Sequence, residues 1–287
     1  MNAQGQKRKR GGGRAGNAQR RGSASIEQMP WHLPINNDPP IEPLNEDGVM
    51  AIHDGAMRIL EEIGVEFLND QALRILKKAG CKISEQNVRM DRHFVMEMVE
   101  KAPSTFDITP RNVERKITVG GSNILFGNVS SPPAYWDLEI GKKIPGSRET
   151  FADFCKLSQY FNCIHFLGGY PVEPVDLHPS TRHLDAVFDK LILSDKVAHA
   201  YSLGKERVED VMEMVRIAGN LSHDEFEAGP KMFTNINSTS PLKHDEPMLD
   251  GWMRLAKKNQ ALIVTPFTLA GAMAPVTVSY THLRAHE

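Results

Sequence analysis

The sequence predicts an α/β fold: about the first four βα units of a parallel-stranded (β/α)8 barrel, preceded by an α+β layer and a disordered basic tail. Three observations lead there. Short apolar runs at Cys163–Leu167, Val197–Tyr201, Lys231–Asn235 and Ala261–Pro266 alternate with helical stretches, which is the spacing of βα units on a parallel sheet. The runs pass at their C-terminal ends into small polar or glycine residues, and in α/β sheets and barrels that end binds the ligand. Before residue 147 the pattern is different, with helices and short alternating strands and no internal repeat. The expected organisation is a tail over 1–28, an extension over 29–146 and barrel units over 147–278. A last segment, 279–287, departs from the pattern where another helix is due, so the chain reads as truncated.

In chain order, residues 1–28 offer almost nothing apolar to bury, so a solvated arm is expected. Residues 29–44 contain five prolines and should run extended, with Trp31, Ile35 and Ile41 packing the strap along the body. Asn45 is placed to cap a helix whose apolar positions Val49, Ile52, Ala56, Ile59, Leu60 and Ile63 keep the helical period up to Gly64. A second helix over 70–79 ends at Gly80, Cys81–Met90 alternates as a hairpin, and Asp91 opens a third helix that stops before Pro103. Short strands then follow between Arg115 and Ile144, separated by Gly120-Gly121, Gly127-Asn128 and Pro132-Pro133.

The later helices each show an apolar stripe. Ser147 caps one with Phe151, Phe154, Leu157 and Phe161 on a face. The next carries Leu184, Val187, Phe188, Leu191 and Ile192, then Val208, Val211, Met212, Val215 and Ala218, and finally Met248, Leu249, Trp252, Leu255 and Ala256. Within this frame Phe233–Met273 holds the candidate site. Asn235, Asn237 and Ser238 follow one strand, Thr265, Phe267 and Thr268 another, Gly169 and Tyr170 a third, and Tyr201 a fourth.

Bulk composition narrows the class. A chain of 287 residues, 40% hydrophobic and 24% charged, has the balance of a soluble globular protein. Residues 1–25 carry seven basic side chains and no acid, so the net charge of −2 leaves the remainder at −9. An acidic body is no nucleic-acid binder, although the arm itself has the charge to be drawn to RNA or a membrane surface. Three scattered cysteines, Cys81, Cys155 and Cys163, argue against a disulfide framework and for a cytoplasmic setting. The uncharged stretch Ala261–Tyr280 is broken by Pro266, Gly271 and Pro275 and reads as strand plus loop, not a membrane span.

Other constellations carry less. Cys163 and His165 in one strand with His199 in the next suggest zinc, but a buried cysteine and a hydrogen-bonded histidine explain them better, and no metal site is expected. His244, Asp245 and Glu246 resemble an acid–base cluster, yet Asp245 precedes a helix with Pro247 in its first turn, a capping position. Tyr135, Trp136, Tyr170, Tyr201 and Phe267 could form an aromatic cage for a quaternary ammonium group, or could simply pack. No catalytic residue is assigned.

The strings LPINNDPPIEPL, AMRILEEIGVEFL, CIHFLGGYPVEP, TRHLDAVFDKLILSDK, YSLGKERVEDVMEM, INSTSPLKHDEPML and VTPFTLAGAMAPVT resemble, in order, the trimethylamine methyltransferase (MttB-like) family, from about residue 30 to 278. The resemblance implies a (β/α)8 barrel that moves a methyl group from a methylated amine, such as trimethylamine or glycine betaine, to the cobalt of a corrinoid protein. No cofactor is bound directly, because the corrinoid (cobalamin) stays on that partner. Some members use pyrrolysine, at a position in the half of the barrel beyond this chain. A cytoplasmic homo-oligomer is expected at full length, and the four βα units are expected to be inactive on their own. A non-catalytic binding or regulatory barrel is the alternative. An aldolase or lyase would need a Schiff-base lysine or metal carboxylates at the strand ends, and the four strands show neither.

Overall fold

The computed structural model describes residues 26–200, 204–239 and 241–265. Residues 26–31 belong to a separate N-terminal unit, and the body begins at His32. Most of the basic tail, all of 279–287, and Tyr201, Phe267 and Thr268 lie outside the described residues.

The proline-rich strap is attached through its backbone. Asn36 N donates to Ser122 O at 2.8 Å and Ile124 N donates to Pro34 O at 2.8 Å, around a bridge between Ile35 and Asn123. The side chains expected to anchor it, Ile35 and Ile41, are 62% and 94% exposed. Proline removes donors but leaves carbonyls, so the strap pairs where a non-proline amide is available.

Helix α1 (Glu46–Arg58) is capped by Asn45, whose Oδ1 accepts from Gly48 N at 3.0 Å, and a π turn over Ile59–Ile63 closes it before Gly64. Its predicted inner face is turned outward: Val49, Ile52, Ile59 and Ile63 are exposed and only Met57 is buried. The period identified the helix correctly but not what covers it. Strand β1 (Val65–Phe67), α2 (Asp70–Lys78), the hairpin β2 (Lys82–Ser84) and β3 (Asn87–Arg89), and α3 (Arg92–Glu100) follow the sequence reading closely. Asn69 and Asp91 cap the two helices. Strand β4 (Thr105–Ile108), absent from the sequence reading, pairs antiparallel with β5 (Ile117–Gly120), and β6 (Ala134–Asp137) with β7 (Lys142–Pro145).

From Ser147 the βα units appear. Helix α4 (Arg148–Tyr160) starts on a capping box of Ser147 and Thr150. Then come β8 (Phe166–Leu167), α5 (Arg182–Leu193), β9 (Val197–Ala200), α6 (Lys205–Ala218), the short α7 (His223–Glu227), β10 (Phe233–Asn237), β11 (Lys243–His244), α8 (Glu246–Lys257) and β12 (Ala261–Thr265). Strands β8, β9, β10 and β12 form one parallel sheet in chain order. Beyond β8 the segment around Gly127 adds a parallel bridge to Phe166. Strand β8 starts three residues later than predicted, because Cys163 sits exposed in the preceding turn. The small strand β11 leaves this sheet and pairs with β1, in parallel, in a second sheet of order β11-β1-β3-β2.

The main core lies between this sheet and its helices. Val208, Val211, Met212 and Val215 of α6 and Leu255 of α8 pack there on Ala200 and Met232, as their periodicity predicts. Helices α4 and α5 depart from expectation. On α4 the buried positions are Phe151, Cys155 and Ser158, and Leu157 is exposed. On α5 Leu184, Phe188 and Ile192 are exposed, whereas Asp189 and Lys190 are buried. Both polar groups are engaged. Arg148 of α4 reaches Asp189 with Nε and Nη2 at 2.8 and 3.0 Å, and Lys190 Nζ donates to His199 O at 3.0 Å while lying 5.2 Å from the Tyr170 ring centre.

Burial lowers the Lys190 pKa to about 8 from its ordinary 10.5. Between those values the unfolded chain holds a proton that the folded chain has released, so this residue makes stability rise with pH across that window. The cost of the buried charge is fully present below about pH 8 and amounts to at most about 3 kcal/mol. The variant Lys190→Met should therefore gain stability relative to wild type at pH 7.5 and lose part of that advantage by pH 10, read from urea midpoints. A wild-type–variant difference that does not change with pH contradicts this account. A second pair of variants tests backbone approach. A Cβ on Gly127 would collide with the Phe166 ring, whereas one on Gly55 in α1 meets nothing. Gly127→Ala should cost about 1–3 kcal/mol and Gly55→Ala should stabilise by up to about 1 kcal/mol, by the same titration.

Candidate functional site

The N-terminal ends of the parallel strands are closed off. The β4–β5 hairpin and the turn within it reach under them: Thr109 N donates to Pro230 O at 3.0 Å, and Arg111 Nη2 donates to Ser194 O at 3.1 Å. Asn112 Nδ2 also donates to Asp195 Oδ2 at 2.7 Å. Between hairpin and sheet remains an apolar cavity of about 210 Å³, lined by Phe106, Ile117, Phe166, Phe233 and Ile263 among others. With that end closed by the hairpin and its cavity lined by apolar side chains, the candidate site falls at the C-terminal ends of the strands.

Alternation along β10 decides which side chains appear there. Thr234 and Ile236 are fully buried, and Thr234 Oγ1 donates to Ala200 O at 2.8 Å. Phe233, Asn235 and Asn237 therefore share the opposite face. On β12 their register partners are Ala261, Ile263 and Thr265, and on β9 Phe233 is opposite His199. Ser238 N donates to Thr265 O at 3.1 Å, so the two strands are still paired where the loop begins. Asn235, Asn237, Ser238 and Thr265, named from sequence, are thus brought together, each partly exposed.

Gly169 and Tyr170 have other settings. Both are buried. Gly169 lies against Ser130, where a Cβ would collide with the serine hydroxyl. The segment carrying Ser130 is fastened along this turn: Asn128 Oδ1 accepts from Gly168 N at 3.0 Å, Asn128 Nδ2 donates to Gly168 O at 3.1 Å, and Ser131 N donates to Tyr170 O at 2.5 Å. Tyr170, 3% exposed, packs edge-on against Phe151 at 5.8 Å in the core behind the sheet. Of the other described members of the suggested aromatic cage, Tyr135 packs edge-on against Phe154 beside the same core that holds Tyr170, and Trp136 is 63% exposed. The Tyr135 and Tyr170 rings are both taken up by packing.

The loop after β10 is held from outside the parallel sheet. Lys243 pairs with Glu66 of β1 at 2.8 Å, Glu66 N donates to Leu242 O at 2.9 Å, and Leu68 N donates to His244 O at 3.0 Å. Leu242 sits at φ 46°, a left-handed conformation that the clamp maintains. Asp245 is a cap, as its position suggests: its Oδ1 accepts from Met248 N at 3.0 Å and its Oδ2 accepts from Thr239 Oγ1 at 3.2 Å. His244 lies tilted against Phe67 and edge-on to Trp252, and burial lowers its pKa. His165 is likewise structural, with Nδ1 accepting from Phe126 N at 2.9 Å and Nε2 3.0 Å from His32 O.

Sequence reasoning weighed His199 only as a zinc ligand or a core residue. The structure places its ring on the site face, 4.9 Å from that of Phe233. Its pKa is pushed down to about 3, mainly by burial and then by the nearby Lys190 ammonium. Strand parity would have placed it there, because it is two residues beyond Val197 and opposite Phe233. The four parallel strands carry no charged side chain, so their site face offers amide, hydroxyl and neutral imidazole groups only. Such a surface can orient a ligand by hydrogen bonds without placing a charged side chain beside it.

A family model described as trimethylamine methyltransferase (MTTB) matches residues 10–286. The chain is 34% identical over 238 residues to a glycine betaine methyltransferase of Desulfitobacterium hafniense (strain Y51), covering 83% of this chain and 49% of that protein. It is 22% identical over 248 residues to the trimethylamine methyltransferase MttB of Desulfitobacterium hafniense (strain DSM 10664 / DCB-2), covering 83% of this chain and 48% of that protein. It therefore spans about half the length of the curated relatives it matches. With nearly all of its residues matched, the chain belongs to the trimethylamine methyltransferase (MTTB) family.

Proposed function

We propose that the chain is the N-terminal part of a (β/α)8 barrel methyltransferase, and that the polar end of β9, β10 and β12 forms part of a site for a methylated amine. The observation that carries this reading is the uncharged strand-end cluster of Asn235, Asn237, Ser238 and Thr265, in a chain one-third identical to a glycine betaine methyltransferase. On this reading the methyl acceptor is a corrinoid on a separate partner protein, whose reduced cobalt supplies the nucleophile. The described strand ends fit that division of labour, because they provide amides and hydroxyls to hold the amine and no side chain that must itself attack.

The chemistry favours such a lining. A quaternary ammonium loses its positive charge as its methyl group leaves. A carboxylate beside the nitrogen would stabilise the charged reactant more than the transition state and so oppose the reaction. Neutral dipoles hold and align the donor without that penalty. Tyr201, Phe267 and Thr268 are proposed as further substrate-binding residues on sequence grounds alone, and they lie outside the described residues. A cytoplasmic homo-oligomer is proposed for the full-length protein, supported by the exposed ridge of Leu184, Phe188 and Ile192 on α5.

The test is an assay of the chain carried to the length of its relatives, mixed with a reduced corrinoid protein and a panel of methylated amines. Growth of methyl-corrinoid absorbance with glycine betaine or trimethylamine is expected. Absence of transfer with every amine tried refutes the enzymatic reading, and amine binding without transfer favours the non-catalytic alternative. In the same assay Asn237→Ala should lower kcat/KM by about tenfold, the equivalent of one hydrogen bond of about 1.4 kcal/mol. Unchanged kinetics would remove Asn237 from the site.

A further inference from the structure

One polar side chain on the site face is not accounted for by the pairing of the strands. His199 is 7% exposed, and neither ring nitrogen has a hydrogen-bond partner. Buried polar groups are normally paired, and an unpaired one costs about 1–3 kcal/mol. The contrast with His165 is direct. That ring, fully buried, has both nitrogens engaged by backbone groups. Around His199 the described contacts are the Phe233 ring at 4.9 Å and, on the neighbouring strand, Asn235. The Asn235 amide is near enough to favour the protonated ring but not in hydrogen-bonding geometry.

The ring is also fixed in place. Lys190 Nζ holds the His199 carbonyl from behind the sheet, and the β9–β10 register sets His199 opposite Phe233, one side-chain layer below Asn235. A neutral imidazole has one N–H donor and one acceptor nitrogen. A quaternary ammonium group has no N–H to give, so the acceptor nitrogen gains nothing from it. Only the ring N–H is useful to such a ligand, and it requires an acceptor elsewhere on the same molecule.

We infer that His199 is a positioning residue of the amine site, donating its ring N–H to the carboxylate of a betaine-type methylated amine. This deepens the methylated-amine reading and rests on it. The carboxylate anchored at His199 would leave the onium end toward Asn235 and Asn237. The residue would then separate carboxylate-bearing donors from simple alkylammonium ions of the same head group. A site built to pair a polar group rejects the analogue that lacks it.

The experiment compares glycine betaine with tetramethylammonium as ligands of the chain carried to the length of its relatives, by calorimetry, for wild type, His199→Ala and His199→Gln. Betaine affinity should fall about tenfold or more in His199→Ala and recover largely in His199→Gln, whose amide restores a donor. Tetramethylammonium affinity should change less than twofold in either. Equal weakening of both ligands marks a purely structural histidine and overturns the inference, as does betaine affinity unaffected by either substitution. Should His199→Ala fail to fold, ¹⁵N-histidine spectra of the wild type, assigned with His199→Gln, give the same answer. The His199 ring signals should move on adding betaine and stay in place with tetramethylammonium, and signals indifferent to betaine overturn the inference. Wild-type binding of betaine that is independent of His199 leaves the methylated-amine reading intact. Absence of binding by either ligand removes both.

Discussion

The register of β10 between β9 and β12 is the constraint from which the rest of the site follows. Thr234 is tied to the Ala200 carbonyl and Ile236 is sealed against the helices, so Phe233, Asn235 and Asn237 have no alternative face. A slip of one residue would send both asparagines into the helix-side core and bring Ile236 to the open face. Each buried, unpaired amide would then cost about 1–3 kcal/mol. The same register places His199 beside Phe233 and Thr265 beside Asn237. Everything polar on the open face is therefore positioned by apolar packing on the hidden one.

The extension before residue 147 serves that sheet at both ends. Its β4–β5 hairpin fills the space under the N-terminal ends of the strands, and β1 clamps the loop after β10 near the C-terminal ends through Glu66 and Lys243. The segment from Phe126 to Ser131 runs along β8 and its following turn, with Gly127 and Gly169 giving the close approach. A layer that looks independent in sequence thus supplies the floor, one edge and a rim of the candidate site.

Much of this was legible in the sequence because it rests on local rules. Asn45, Asp91, Ser147 and Asp245 cap the helices they were expected to cap, since an oxygen two or three residues ahead of an unsatisfied N–H is a local matter. The parallel strands and their polar ends follow from spacing alone. What could not be read was tertiary. Helix α5 has an apolar stripe, yet it buries Asp189 and Lys190, because Arg148 from another helix and a carbonyl from β9 are there to receive them. Tyr170 stands directly after a strand, as a ligand-facing residue would, but Phe151 and Lys190 claim its ring for the core. Strand β4, with only Phe106 and Ile108 as apolar signal, gains its identity from pairing with β5.

The buried polar groups also divide by what they do. Asp189, Lys190, His165 and Lys196 are all matched by partners in the fold. Lys196 Nζ, for instance, donates to Ser158 O and Phe161 O at 2.6 and 2.7 Å, which ties β9 to the C-terminal end of α4. These interactions stabilise or orient elements and ask nothing of a ligand. His199 is different in kind, because the fold pays for its burial without supplying a partner. In a site whose strands carry no charge, a neutral donor set in an apolar floor can select a ligand by its acceptor group and leave the onium to weakly interacting neighbours. Under the proposed methyl transfer from an onium, separating the group that anchors from the group that reacts keeps binding from opposing catalysis.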